Sequence, residues 1–582
     1  MRKRIGASAV VAAVGLTVSL ASLLAGQALA AVPPPTAVPP TAGTPDRPVV
    51  RTDRGLVAGT ATGDYRLFQG IPYAAPPTGR LRWANPRPAA HWDGVRPATR
   101  PGNPCPQTPG EVPGGSTTED CLYLNVTTPA SAGTKDTAGT KNTAGPKRTR
   151  PVVVWVHGGG FTSGAGSSYD ARRMAVRGDV VVVTVNYRLG VFGYFALPGL
   201  RGGGDFGLQD QLAALRWVRH NIGAFGGDPH NVTLAGESAG GMSTCAFLTA
   251  PAAAGLFQKG IMQSGSCLLE WPENTWYPGM PAFAPYAPLA EVEEFGKETA
   301  ADLHCADPRT ALALACLRKV EPEKLLGVDQ PYNMPAYGTP LLPRDPAEAL
   351  RTGHFRKVPV ISGGNRDEGA GNAAALENNQ PLTEQAYLDL LTGTFGADAG
   401  RQVAAHYPVA AFGTPAQAWA AVISDRPWAC PTLRGNQLLA RRTTTYAYEF
   451  ADRTAPDLGA PPPPNFRLGA AHALDLPYVF DFSAYGLHLD LAQQRLSDQM
   501  VGYWTRFAAT GNPNGPGLPA WRAFGPGDTA APALATRADG GVAPVDLAAR
   551  HQCGFWAHLS GDLDRRGHRA TELAANAGAT DR

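Results

Sequence analysis

Two continuous apolar runs constrain the fold of this 582-residue chain more than any other feature. Pro151-Val152-Val153-Val154-Trp155-Val156 and Asp179-Val180-Val181-Val182-Val183-Thr184-Val185-Asn186 lack polar alternation, so each reads as a strand buried on both faces. Helical spacing of apolar residues follows from Leu208 to Ile222. A short strand, Asn231-Val232-Thr233-Leu234-Ala235, then leads into a Gly-rich turn and a helix from about Ala239, and Lys259-Gly260-Ile261-Met262-Gln263 forms a further strand. Strands separated by helices make βαβ units, so the expected fold is α/β, with a large, mostly parallel central sheet flanked by helices.

The ends of the chain read differently. Basic Arg2-Lys3-Arg4, an apolar stretch from Ile5 to Leu24 and the small-x-small Ala28-Leu29-Ala30 make residues 1–30 an expected signal peptide, cleaved near Ala30. Residues 31–48 form a Pro/Ala/Thr-rich linker, and one domain spans 49–560. Within it, 130–150 is a low-complexity surface insertion, and 561–582 is a polar, Ala-rich tail. The composition is globular, with 43% hydrophobic and 17% charged residues. Without the three basic residues near the start, basic and acidic residues balance at 48 each. A chain that close to neutrality has no overall field to hold nucleic acid or an anionic membrane, and no second stretch is long and apolar enough for stable insertion.

Eight cysteines in an exported chain imply four disulfides. Cys105 with Cys121, Cys245 with Cys267, Cys305 with Cys316 and Cys430 with Cys553 form a plausible set, although the sequence leaves connectivity open. There is no C-x-x-C and no H-E-x-x-H, so neither a metal nor another cofactor is expected.

The chemistry concentrates after two strands. Gly236-Glu237-Ser238-Ala239-Gly240 fits G-x-S-x-G between strand and helix, a sharp turn that lifts the Ser238 hydroxyl clear of the sheet as a nucleophile. His157-Gly158-Gly159-Gly160 directly follows the Val152–Val156 run. Its exposed backbone N–H groups, at Gly159 and Gly160, together with that of Ala239, suit a three-donor hole for a tetrahedral oxyanion.

Further segments carry a family resemblance. They are Phe68-Gln69-Gly70-Ile71-Pro72-Tyr73-Ala74, Glu119-Asp120-Cys121-Leu122-Tyr123-Leu124-Asn125-Val126, Asn186-Tyr187-Arg188-Leu189-Gly190, Gly207-Leu208-Gln209-Asp210-Gln211 and Phe225-Gly226-Gly227-Asp228-Pro229. With the two Gly-rich turns, they make the chain resemble the type-B carboxylesterases. This is the α/β-hydrolase family that includes cholinesterases and bile-salt-activated lipases, and the likeness runs from about Val49 to about Leu559. It implies a secreted, bacterial-type serine carboxylesterase acting on small-molecule esters through an acyl-enzyme.

The resemblance also supplies the remaining catalytic positions. Asn365-Arg366-Asp367-Glu368-Gly369 matches the acid segment, with Glu368 as the acid and Asp367 as its rival. His472, in Leu468-Gly469-Ala470-Ala471-His472-Ala473-Leu474-Asp475, matches the base, although Ala473 stands where the family usually has Gly. His91, His220, His230, His304 and His354 read as surface or core residues. Arg188 with Asp210, and Arg82 with Glu119, are expected as supporting ion pairs. Glu237 either tunes the field at His472 or binds water. The sequons at Asn125 and Asn231 fall in apparent strands and are discounted.

The Cys105–Cys121 loop contains no aromatic residue, whereas cholinesterases carry a choline-stacking Trp there, so choline esters are disfavoured. Tyr332, Met334 and Tyr337 either line the acyl pocket or simply pack. The aromatic stretch from Trp271 to Leu289 is the expected rim or lid. Two alternatives remain: an interfacial lipase, which needs an apolar lid, and a non-catalytic adhesion-type homologue, which typically lacks a triad residue.

Overall fold

The computed structural model describes residues 47–130, 149–329, 331–377, 380–459 and 461–559. The expected signal peptide, nearly all of the 31–48 linker, the body of the 130–150 insertion and the 561–582 tail lie outside the described residues. The main sheet has eleven strands among those described. In chain order they are β1 (Thr60–Ala61), β2 (Tyr65–Pro72), β3 (Tyr123–Pro129), β4 (Arg150–Val156), β5 (Val181–Val185), β6 (Gly227–Glu237), β7 (Lys259–Gln263), β8 (Val360–Asn365), β9 (Thr445–Phe450), β10 (Ala530–Leu534) and β11 (Ala543–Asp546).

Their spatial order is β11-β10-β9-β8-β7-β6-β4-β5-β3-β2-β1. Every neighbour pair from β10 to β5 is parallel, while β11 and the β3, β2, β1 edge pair antiparallel. The mostly parallel reading therefore holds for the centre, and both edges are antiparallel.

The unalternated runs are apolar because successive residues feed opposite cores. Val152, Val154 and Val156 of β4 face one cluster with Leu208 and Ala239, which lie on helices α1 (Phe206–Asn221) and α2 (Ala239–Thr249). Val153 and Trp155 face the other, with Met500 and Trp504 of helix α3 (Leu491–Thr510). Each fully buried Val contributes roughly 1.5–3 kcal/mol relative to exposure, so neither face of this strand tolerates water.

Strand limits shift where the backbone has other duties. Asp179 ends the helix Arg172–Gly178 in the left-handed conformation, with φ 51°, so β5 begins after it. Pro359 has no N–H to give a ladder, and β8 begins at Val360 and runs on to Asn365.

All four disulfides form with the expected partners. Both expected ion pairs also form. Arg82 pairs with Glu119, and Arg188 Nε and Nη2 each lie 2.7 Å from a carboxylate oxygen of Asp210, with both side chains fully buried. Asp210 also accepts the Arg188 N–H at 3.1 Å, which ties the segment after β5 to helix α1. Asn125 spends its side chain inside the sheet, accepting from Gly70 N–H and donating to Thr184. No helix of the described residues is long and apolar enough to cross a membrane.

Arg188→Met should destabilise the protein by about 3–5 kcal/mol, because Asp210 is left charged and buried without its partner. Arg188→Met combined with Asp210→Leu should recover most of that loss. Urea unfolding of the three proteins checks both outcomes.

Candidate active site

Ser238 sits between the end of β6 and the start of α2 with φ 53° and ψ −122°. Such a backbone costs a non-glycine residue on the order of 1–3 kcal/mol and persists only where its surroundings impose it. Here the Ser238 N–H donates to Gln263 O at 2.9 Å, and its carbonyl accepts Met242 N–H at 2.8 Å. The helix also approaches the sheet too closely for any side chain at Gly240, where a Cβ would lie 2.0 Å from Val156 O. The G-x-S-x-G spacing is thus a steric requirement of this crossing.

Val156 ends β4, and His157–Gly160 turn directly over the serine. A Cβ on Gly158 would stand 3.1 Å from Ser238 Cβ and 2.7 Å from Glu237 Oε2. Gly159 and Gly160 both have positive φ. Turn closure uses the Gly159 carbonyl, which accepts Thr162 N–H and Ser163 N–H at 3.0 Å each. His157 is buried and stacked on Tyr187, and burial pulls its pKa down to about 4, so its ring is neutral. The Cys105–Cys121 loop is clamped to this turn by Gln107, which donates to Gly164 O at 3.0 Å and accepts Gly164 N–H at 2.8 Å. It delivers Glu111, a half-buried carboxyl that hydrogen-bonds Ser163 and lies within electrostatic range of His472.

Glu368 and His472 meet although β9 separates them in sequence. Glu368 Oε1 accepts Asn365 N–H at 2.7 Å, and Oε2 lies 2.6 Å from His472 Nδ1. Since a carboxylate only accepts, the imidazole donates from Nδ1. Asp367 faces away, paired with Arg453 at 3.1 Å and accepting Ala470 N–H. Asn365 Nδ2 donates to Ala471 O at 2.6 Å, which joins the strand end to the histidine loop. Ala473, in place of the family's Gly, takes φ 68° all the same.

Four carboxyl groups surround the imidazole. Glu237 Oε1 stands 3.2 Å from His472 Nε2, and Asp475 accepts from Gln263 Nε2 at 2.6 Å while Gln263 accepts from Trp504 Nε1 at 2.8 Å. Burial opposes the imidazolium, but Glu237, Glu368 and Asp475 outweigh it and lift the His472 pKa to about 9. Burial raises Glu237 to about 8, against the pull of His472, and Asp475 to about 6, against its bond from Gln263. Among the described residues no group of three or more His, Cys, Asp or Glu is arranged to hold a metal ion.

The Trp271–Leu289 stretch folds back on itself, with Trp271 bridged to Phe283. Trp271 stacks on Phe283 at 4.6 Å and meets Trp428 edge-on at 5.2 Å, and Trp428 lies 4.6 Å from the His472 ring. Tyr332 packs in the core, hydrogen-bonded to Thr299. Sequence reading missed Trp428, Gln263, Trp504 and Glu111 as parts of the site. Glu111 sits in the Cys105–Cys121 loop with no motif around it, and the other three arrive from separate segments with no local signal.

Glu237→Gln removes the nearest charge that raises His472 from the Nε2 side. The imidazole should then titrate in NMR at a lower pH than in the unaltered protein, where Glu237, Glu368 and Asp475 push it up to about 9. An unchanged or raised titration point would contradict the electrostatic account.

Comparison with known proteins agrees with this geometry. A family model described as "Carboxylesterase family" matches residues 46–556. Human cocaine esterase is 33% identical over 516 residues, covering 82% of this chain and 86% of that protein. Para-nitrobenzyl esterase of Bacillus subtilis (strain 168) is 35% identical over 485 residues, covering 80% and 90%. Fumonisin B1 esterase of Sphingopyxis macrogoltabida is 34% identical over 509 residues, covering 82% and 85%. A solved structure of PNB esterase superimposes with TM-score 0.68 at 30% identity, over 87% of this chain and 99% of that one. The chain therefore belongs to the carboxylesterase family of α/β-hydrolases, enzymes that hydrolyse carboxylic esters.

Proposed function

We propose that this is a secreted serine carboxylesterase that works through Ser238, His472 and Glu368. The observation that carries the reading is the 2.6 Å contact from Glu368 Oε2 to His472 Nδ1, together with a serine held in a strained elbow. In the proposed reaction His472, in its neutral form with Nε2 unprotonated, takes the Ser238 proton as the hydroxyl oxygen attacks the ester carbonyl. Glu368 keeps the Nδ1 proton in place and stabilises the imidazolium. The oxyanion is held by the N–H groups of Gly159, Gly160 and Ala239, each such donor being worth about a hundred- to a thousandfold in turnover. The alcohol leaves with the proton from His472, and water, deprotonated in turn by His472, hydrolyses the acyl-enzyme. Glu237 shares the Nε2 side of the ring, so its charge opposes loss of the imidazole proton.

Export is supported by four disulfides, which persist in oxidising compartments, and by the signal-like start of the sequence, with cleavage near Ala30. Esterase action on soluble, short or medium esters is favoured over interfacial lipase action by the rim. No large hydrophobic side chain between Trp271 and Leu289 is strongly exposed, as one on an oil-binding lid would be. An adhesion-type role fits poorly with Ser238, Glu368 and His472 all being retained.

Ser238→Ala should lower turnover of a chromogenic ester by roughly a millionfold while leaving the fold intact. Undiminished activity in the pure variant would refute the assignment. In the unaltered enzyme, activity should fall as the acyl chain lengthens and gain nothing from an oil–water interface. The opposite trend would favour the lipase.

A further inference from the structure

Outside the site just described lies a second buried cluster of ionisable groups. His551 is 4% exposed, with Nδ1 at 2.5 Å from Asp425 Oδ1 and Nε2 at 2.6 Å from Glu449 Oε1. Both ring nitrogens face carboxylates, which only accept, so the ring is held as an imidazolium. Arg550 pairs with the other oxygen of Glu449. The remaining oxygen of Asp425 accepts from Tyr407 OH at 2.7 Å, and Tyr407 accepts from Trp556 Nε1 at 2.7 Å. Every polar atom of the His551 ring and of the Asp425 carboxylate is thus engaged, and His551 is pushed up to about 10 by Asp425 and Glu449, against burial.

The cluster is attached to one piece of backbone in particular. Asp425 opens a π-helical turn, Asp425–Ala429, set between the helices Pro415–Ser424 and Cys430–Ala440. Such turns are rare and tend to occur at functional positions. The turn carries Trp428, whose indole lies 4.6 Å from the His472 ring. Its far end is bonded covalently to the segment bearing His551 through Cys430–Cys553. A cavity of about 20 Å³, lined by Glu368, Trp428, Asn436 and His551 among others, lies between the cluster and the acid of the proposed triad.

We propose that His551 is a positioning residue for ester hydrolysis: by anchoring Asp425 it fixes the π turn and holds Trp428 against the imidazole of His472. This rests on the reading of His472 as the base. The chain of contacts explains why a charged group is kept in the interior. An imidazolium between two carboxylates fixes both in direction as well as distance, and the π turn converts that anchor into the placement of one indole. Losing the anchor lets the indole and imidazole drift while the substrate pocket stays formed, so turnover falls and substrate binding does not.

The test is a double-mutant cycle in the full-length, disulfide-bonded enzyme, using a p-nitrophenyl ester. His551→Gln and Trp428→Leu should each lower kcat on the order of ten- to a hundredfold, with KM changed by less than about twofold. The double variant should lose no more than the worse single one, because both act through one contact. Asp425→Asn serves if His551→Gln does not fold, and should give the same kcat-selective loss. Unchanged kcat in a folded His551 or Asp425 variant, a loss expressed in KM, or losses that multiply would each overturn the proposal. His472→Ala, assayed in parallel, separates the two readings: if it stays active, the base assignment fails first.

Discussion

The site depends on one backbone contact, the approach of helix α2 to the end of strand β4. With Gly240 packed against Val156 O, the chain between β6 and α2 has no room for a relaxed turn, and Ser238 takes the positive φ that projects its hydroxyl. The same crowding brings the His157–Gly160 turn over the serine, where a side chain on Gly158 would collide with both Ser238 and the Glu237 carboxylate. A parallel sheet supplies this arrangement because its strand ends open on one edge, at which β4, β6 and β8 all deliver their loops. The large apolar investment on both faces of β4 and β5 is what makes that edge rigid enough to store the strain.

Electrostatics forms the second layer. One half-buried imidazole is ringed by Glu237, Glu368 and Asp475, with Glu111 at longer range, and the balance raises its proton affinity. The four acids differ in what they can do. Glu368 is fixed by Asn365 N–H and meets Nδ1, Asp475 is held by Gln263 and Trp504, and Glu237 alone faces Nε2. Glu368 orients the ring and, with Asp475, favours its charged form, whereas Glu237 stands on the Nε2 side. Its position 3.2 Å from Nε2 favours, of its two expected roles, an action on the field at His472, and that is the role we propose for it.

The central sheet was legible because Val152–Val156 and Val181–Val185 are apolar without alternation, a pattern that only a strand covered on both faces satisfies. The elbow and the glycine turn were legible because close backbone approach admits few residue types. The meeting of Glu368 with His472 was readable only through resemblance, since spacing says nothing about segments joined by β9. Trp428 and the His551 cluster were not readable at all. A π turn of five residues leaves no periodic signature, and a buried His looks like any core histidine until Asp425 and Glu449 are seen on either side. Two inner strands, β5 and β8, begin later than their apolar runs suggest for local reasons, a capping Asp179 and a non-donating Pro359.

The central claim is that the strained serine, and no other nucleophile, forms the acyl-enzyme. Intact-protein and peptide mass spectrometry after treatment with a fluorophosphonate measures this directly. The account predicts a single covalent adduct, on the peptide containing Ser238, that appears in step with loss of esterase activity and is absent from His472→Ala protein. Labelling at another residue, or full inactivation without a Ser238 adduct, would contradict it.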